Sequence, residues 1–294
     1  YQLKYDLEHT ASRNLKIKAG GALHFFTTRP GSLDNYGGFT HVVPFQMDRR
    51  KMLDVGLYGE IEYRFASRFQ LNGGIRLAAL YTPSGPGYEG KTFIVPEPRA
   101  ELSYDLNYNN RLNISFNQAS QNLHMLSNSS VGIPSDMWIP ANKNLEPEVM
   151  RQLAVGYEWN KLDRQYTFSM EAFYRKSDHI IDFKDDVNIF MNNLIEKEVE
   201  QGEAESYGVE FYLSKNKGDL TGWASYTLSH VRNRLANIKD TEYRPVYDRP
   251  HNLKLFLNYN INKRWSLSST FSYCSGMNLT LPVGKYEFQG ALLY

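Results

Sequence analysis

A single cysteine, Cys274, stands in 294 residues, so neither an internal disulfide framework nor a Cys/His metal cluster can be built from this sequence. No run of about 18 apolar residues occurs, which excludes a membrane-spanning helix. Neither charge sign prevails: 33 basic against 32 acidic residues leave a formal net charge of +1, so no overall field recruits nucleic acid or another polyanion. There is no nucleophile elbow, zinc-protease helix motif, phosphate-binding glycine loop or cysteine pair. The sequence therefore offers no catalytic residue, no metal ligand set and no cofactor, and the chain is not expected to be an enzyme. It begins at Tyr1 inside an alternating pattern, without a start methionine or signal peptide, and reads as an excerpt of something longer.

Aromatic residues are plentiful: 21 Tyr, 16 Phe and 4 Trp make 14% of the chain. Their placement follows a period of two. From Leu53 to Phe65 the odd positions are uncharged (Leu53, Val55, Leu57, Gly59, Ile61, Tyr63, Phe65), while Asp54, Glu60, Glu62 and Arg64 share the even ones. Such segregation marks a strand with one apolar face. The pattern recurs about twelve times. Leu71, Ile75 and Leu77 oppose Arg76; Ala100, Leu102 and Tyr104 oppose Arg99, Glu101 and Asp105; Phe168, Met170, Ala172 and Tyr174 oppose Glu171 and Arg175; Val209, Phe211 and Leu213 flank Glu210.

A soluble sandwich or propeller also alternates, but its strands average about 5 to 6 residues, whereas these runs often last about 10 to 14, enough to cross a bilayer with tilt. One parity is kept free of charge because a charge at the bilayer midplane costs about 2–4 kcal/mol. Tight breaks near Ser12, Ser67, Asn109, Lys161, Lys217 and Lys263 take turns with long polar connections near Thr28–Arg50, Pro83–Lys91, Ser120–Glu148, Lys176–Glu205 and Arg232–Arg249. Short turns on the periplasmic rim and long loops outside are the habit of outer-membrane barrels. Aromatics beside the short turns (Phe65 and Phe69, Tyr104 and Tyr108, Trp159 and Tyr166, Tyr259 and Trp265) match an interfacial girdle. The expected fold is all-β, an antiparallel transmembrane β-barrel. Residues 1–294 form part of that one domain, a partial barrel of roughly twelve strands from a larger one, bathed in outer-membrane lipid.

Two features promise function. The inward parity would line the lumen with Asp54, Glu60, Glu62, Arg64, Arg76, Arg99, Glu101, Glu171, Arg175 and Glu210, a mixed-charge wall suited to an inserted plug or a wet channel. The connection from Ser120 to Pro147 is stiffened by Pro134, Pro140 and Pro147 and carries His124, Asp136, Trp138 and Asn142, which offer a stacking surface and hydrogen bonds to a ligand at the outer mouth. Asp178, Asp182, Asp185 and Asp186 read as a solvated acidic loop, and Asp248, Arg249 and His251 as polar groups holding a loop.

The run LeuSerAsnSerSer at Leu126–Ser130, with IlePro at Ile133, AspMetTrpIlePro at Asp136–Pro140 and LeuGluPro at Leu145–Pro147, resembles a block of TonB-dependent outer-membrane receptors of the Bacteroidetes type. SerTyrGlyValGlu at Ser206, GlyTrpAlaSerTyrThrLeuSer at Gly222, TyrAspArgProHis at Tyr247 and LeuProValGlyLysTyr at Leu281 add to the likeness, which spans from about Pro98 to the end. The resemblance implies a barrel of about 22 strands around an N-terminal plug. It also implies active uptake of an iron chelate, vitamin, glycan or peptide, driven by the TonB system pulling on that plug. Plug and TonB-contacting residues lie outside this sequence; a surface lipoprotein is a possible partner in related glycan importers. The competing expectation is a passive porin-like channel.

Overall fold

A computed structural model describes the whole chain apart from residues 30, 34–44, 128–135, 162–163, 185–191, 193–194, 236–241, 279–285, 289–290 and 294. In chain order the strands are β1 (Gln2–Ser12), β2 (Leu15–Thr28), the two-residue β3 (Ser32–Leu33) and β4 (Phe45–Gln46), β5 (Arg50–Ala66), β6 (Phe69–Thr82), β7 (Lys91–Asn107), β8 (Asn110–Gln121) and β9 (Leu123–Ser127). They continue with β10 (Asp136–Pro140), β11 (Glu148–Lys161), β12 (Tyr166–Phe183), a single 3₁₀ turn (Ile195–Lys197), β13 (Val199–Lys215), β14 (Leu220–Arg234), β15 (His251–Asn262), β16 (Trp265–Cys274), β17 (Tyr286–Phe288) and β18 (Ala291–Leu293). Twelve of them form one sheet in the order β1-β2-β5-β6-β7-β8-β11-β12-β13-β14-β15-β16, each bonded to its chain neighbour in the wall. This is the up-and-down meander that alternating short and long connections require.

The short breaks are side-chain-capped turns. Asn14 N–H donates to Ser12 Oγ (3.2 Å), Asn109 N–H to Asn107 Oδ1 (2.9 Å) and Arg264 N–H to Asn262 Oδ1 (2.9 Å), so short polar side chains stand in for backbone partners. Gly218, at φ +98°, supplies the left-handed residue in the turn between β13 and β14. Beside these turns the expected aromatic row is present on the outward parity: Phe65 lies 5.4 Å from Phe69, and Phe69 lies 4.6 Å from Tyr104, ring centre to ring centre.

Two departures from the sequence expectation have physical causes. Half of the connection expected over Lys176–Glu205 is strand, because β12 runs on to Phe183 and β13 starts at Val199. A bulge at His179, whose φ is +62°, shifts the register between Asp178 and Ile180, so the alternation changes phase and a period-two reading stops there. Asp178 and Asp182 are therefore strand residues and not part of an acidic loop; Asp185 and Asp186 lie outside the described residues. The second departure is β7, which carries Pro96 and Pro98 although it lies between two strands. Proline cannot donate to a ladder, and the β7–β8 pairing ends at Arg99 and Asn117. The buried Glu97 carboxylate fills the breach, accepting from Ser120 N (2.8 Å), Ser120 Oγ (2.6 Å) and Arg76 Nη1 (3.0 Å).

The sheet is apolar on its outward parity and has its packed core elsewhere. Leu57, Ile94 and Val155 are 61%, 69% and 52% exposed, values a water-soluble sheet would not hold in a row. The buried residues instead gather where the loops close over the other face: Met47, Leu126, Met137, Ile139, Leu145, Ile195 and Val199 form one cluster, and Met52, Leu80 and Ala141 another.

Candidate functional site: the charged wall and its loop cap

Register carries the parity of one strand to the next. Asp54, Glu60 and Glu62 oppose His24, Lys18 and Lys16 on β2 and Leu80, Gly74 and Asn72 on β6; Arg76 opposes Glu97, Gly74 opposes Arg99, and Asn72 opposes Glu101. Continuing through Asn117, Gln152 and Arg175, and through Asn113, Gly156, Glu171 and Glu210, the ladder puts all ten expected wall residues on one face. On that face Lys18 meets Glu62 at 2.5 Å, Arg99 meets Glu60 at 3.2 Å, and Arg76 bridges Glu97 at 3.0 Å and Asp54 at 3.8 Å. Arg175 donates to Gln152 Oε1 at 2.7 Å, Arg64 to Gln70 Oε1 at 3.5 Å, and Glu101 accepts from Ser103 at 3.0 Å. Glu171 and Glu210 are direct cross-strand neighbours, and no basic side chain pairs with either among the described residues.

The loops fold onto this same charged face. β9 and β10 form a two-stranded ribbon in which His124, Leu126, Met137 and Ile139 are buried and Met125 and Trp138, opposite one another, are exposed. Asn122 Nδ2 donates to Asp54 Oδ1 (3.0 Å) and Thr82 Oγ1 to the Ala141 carbonyl (2.7 Å), which seats the ribbon on β5 and β6. The ribbon also touches β12, five places from β5 in the sheet order. In a flat sheet five strand spacings would separate them by about 24 Å, so the wall curves around its charged face. The segment after the ribbon is tied through the backbone of one residue: the Glu146 carbonyl accepts from His124 Nε2 (2.9 Å) and Gln201 Nε2 (3.0 Å), and Glu146 N–H donates to Gln201 Oε1 (3.2 Å).

A buried ion pair locks three connections together, and no local sequence signal marks it. Arg50 at the head of β5 meets Glu196 in the 3₁₀ turn at 3.1 Å, with both side chains 1% exposed. Its guanidinium also lies 3.9 Å from the Tyr88 ring centre and donates to the Pro86 carbonyl at 3.0 Å. Burial pushes the Glu196 carboxyl above its ordinary range, with Arg50 acting in the opposite sense. Beside this lock lies an open groove of about 500 Å³ lined by Asn144, Lys184, Lys197, Glu200 and Gln201.

The four loop residues singled out in the sequence have different fates. Trp138 is 44% exposed on the free face of the ribbon. His124 is buried and holds the Glu146 carbonyl; burial pulls its imidazole down to about 4. Asn142, 1% exposed, is a turn former, its Oδ1 accepting from Asn144 N (2.9 Å) and Leu145 N (3.3 Å). Asp136 opens β10, but its side chain lies outside the described residues. At the TyrAspArgProHis run, buried Asp248 accepts from Val231 N (3.0 Å) and so fastens the loop to the wall, whereas His251, the first residue of β15, meets Tyr226 Oη of β14 through Nδ1 (2.8 Å) and joins two wall strands.

A curved antiparallel wall with an apolar outside, a charged inside and loops folded inward defines an outer-membrane β-barrel. The chain belongs to the TonB dependent receptor-like β-barrel family, whose model matches residues 1–290. No curated protein matches it in sequence. Among solved structures it is similar to the ferric-catecholate import receptor Fiu from E. coli K12 (17% identity, TM-score 0.66, covering 94% of this chain and 44% of that one). It is similar also to the copper transporter OprC (16%, 0.65, 93% and 42%). A third is the pyoverdine outer-membrane receptor FpvA from Pseudomonas aeruginosa PAO1 (16%, 0.64, 92% and 40%). The chain thus spans less than half the length of these receptors.

Proposed function

We propose that the receptor to which this wall belongs takes up a nutrient ligand across the outer membrane by TonB-dependent transport, with the charged face as its lumen. The observation that carries the reading is the inward folding of an ordered loop cap over a charged, curved wall, which leaves space for an occupant below the cap and a ligand surface above it. The unopposed pair Glu171 and Glu210 supports an inserted plug with basic side chains, since two adjacent carboxylates are more stable with a cation between them. Ligand capture is assigned to Trp138, with Met125 beside it, and to the adjoining groove. His124 and Asn142 serve that surface by fixing its backbone, and Asp136 stands at the ribbon's outer end. Iron chelates, vitamins, glycans and peptides remain the ligand classes in view; Fiu, OprC and FpvA are named for ferric catecholate, copper and pyoverdine. The block Leu126–Pro147 supports a Bacteroidetes-type receptor, in which a surface lipoprotein is a possible partner.

The test uses the full-length receptor in a strain lacking its own copy. Growth on a panel of iron chelates, vitamins and glycans identifies the ligand; uptake is then measured with and without TonB. Trp138→Ala and Met125→Ala are expected to weaken binding while the barrel stays heat-modifiable and surface-displayed. These changes are preferable to deleting the loop, because Ile139 and Asn142 are part of its buried framework. Uptake that persists without TonB and scales linearly with ligand concentration would establish a passive channel instead.

A further inference from the structure

The outward row of side chains changes character at one place. On β12, Tyr166, Phe168, Met170, Ala172 and Tyr174 face outward, and Lys176 is the first charge above them. From 166 to 176 is a climb of about 33 Å along the strand, or about 25 Å along the membrane normal at a tilt near 40°. That equals the height of the apolar band of an outer-membrane barrel, so Lys176 stands at headgroup level on the long-loop side.

It does not stand alone. Lys176 is the cross-strand partner of Arg151 on β11 and of Glu205 on β13, and Glu205 is the partner of Arg232 on β14; Arg234 lies one outward position higher, opposite Glu203. Four cations on three strands therefore form one outward row, continuous with the lipid-facing band beneath it. Outward positions such as Ile94 and Tyr81 are uncharged and Lys51 on β5 is single, so the row is a local patch and not a ring. Two like charges directly opposite, as at Arg151 and Lys176, are destabilising unless an anion lies against them. Protein carboxylates supply part of that: Arg151 meets Asp178 at 2.5 Å, Lys176 meets Glu203 at 2.9 Å and Asp178 at 4.0 Å, and Arg232 meets Glu242 at 3.3 Å, with Arg234 on the same carboxylate.

These contacts orient the cations without using them up. Arg151 donates through Nε to Gln118 and through Nη1 to Asp178, which leaves Nη2; Arg232 engages one amino group and Arg234 one. A guanidinium has five N–H donors in a fork that matches phosphate. The side chains are 47%, 37%, 50% and 66% exposed for Arg151, Lys176, Arg232 and Arg234, so a group reaching the row from the membrane plane finds preoriented, accessible donors. Because four interleaved carboxylates (Asp178, Glu203, Glu205 and Glu242) balance the four cations, attraction is short-ranged and favours an anion held in place by its own acyl chains against the band below.

We propose that Arg151, Lys176, Arg232 and Arg234 form a docking site for the phosphate-bearing headgroup of an outer-leaflet lipid. The proposal rests on the uptake reading only through the orientation of the barrel, long loops outward.

The full-length receptor, exchanged into micelles doped with diphosphoryl lipid A or with the same lipid stripped of its phosphates, is examined by native mass spectrometry for retained lipid. The wild type is expected to retain the diphosphoryl form. Arg232→Gln combined with Arg234→Gln should weaken retention about thirtyfold, at roughly a fivefold loss per cation removed from a membrane surface. Arg232→Lys with Arg234→Lys should stay close to wild type, and the dephosphorylated lipid should be held weakly by all. Equal retention of both lipids by the wild type and by a heat-modifiable Gln variant overturns the proposal. Complete competition by inorganic phosphate also overturns it, by assigning the row to a free anion. TonB-dependent uptake is measured on the same Gln variant: normal uptake beside lost headgroup selectivity leaves the transport reading intact, whereas TonB-independent uptake by the wild type strikes that reading and not the lipid site.

Discussion

Lowering the pH from about 7 to about 5 should open the β9–β10 ribbon locally while the wall strands stay protected, because the ribbon depends on a histidine that must remain neutral. His124 is buried, donates from Nε2 to the Glu146 carbonyl, and has its imidazole pulled from an ordinary value of 6.5 to about 4 by burial. A group whose folded value is depressed contributes stability that is fully present above 6.5 and is lost as pH falls through 6.5 toward about 4, since the opened ribbon binds the proton more readily. Between these limits the loss reaches about 2 kcal/mol at pH 5, or about thirtyfold in the opening equilibrium. Hydrogen exchange, corrected for the pH dependence of the chemical step, should show this on peptides covering residues 123–127 and 136–147 and not on one covering 166–174. His179, Glu146 and Glu196 also face this region, so the control is His124→Gln, which keeps a donor toward the Glu146 carbonyl and removes the titration. If the Gln variant opens with the same pH dependence as the wild type, the argument from His124 is wrong.

Ile114→Lys and Ser115→Lys test the two faces on adjacent residues of β8: the outward charge should cost about 2–4 kcal/mol in urea unfolding from vesicles, and the inward one under about 1 kcal/mol. Asn142→Ala removes the acceptor of two backbone N–H groups and should destabilise the loop cap by about 1–2 kcal/mol, seen as faster exchange at residues 144–146. Arg50→Met should cost about 3–5 kcal/mol by leaving Glu196 buried without its partner, and Arg50→Met with Glu196→Leu should recover most of it. Thermal denaturation of the four members of that cycle checks this; additive losses would mean the pair is not coupled.

The wall was legible because charge avoids one parity so consistently. Glu60 against Ile61, or Glu171 against Met170, states the facing of a strand without reference to any other residue, and the polar breaks near Ser12, Asn109 and Lys263 mark where the chain reverses. The loop cap was not legible, for a physical reason. Its core takes Met47 from one connection, Leu126, Met137, Ile139 and Leu145 from a second, and Ile195 with Val199 from a third, so no local window shows a buried face. The ribbon within the long connection is short, and its sequence puts forward the exposed Trp138 rather than the buried row opposite it. His124 and Asn142 read as hydrogen-bonding groups, and they are; their partners are backbone groups of the same loop. Arg50 and Glu196 are 146 residues apart, and a pair at that separation leaves no trace in a single sequence. The bulge at His179 hid the upper part of β12 by changing the phase of its alternation.

The unequal lengths of the strands give the barrel a parapet. β12 and β13 remain paired up to Phe183 and Val199, whereas β14 and β15 part at Leu228 and His251. Counted from the periplasmic turns, the first pair climbs roughly 15 Å higher above the membrane than the second. The strand pairing thus ends lower on the β14–β15 side than on the β12–β13 side, and the two sides of this part of the rim differ in height. Under the uptake reading proposed above, a ligand resting in the groove beside Gln201 and Lys184 has the extended β12–β13 pair as its back wall.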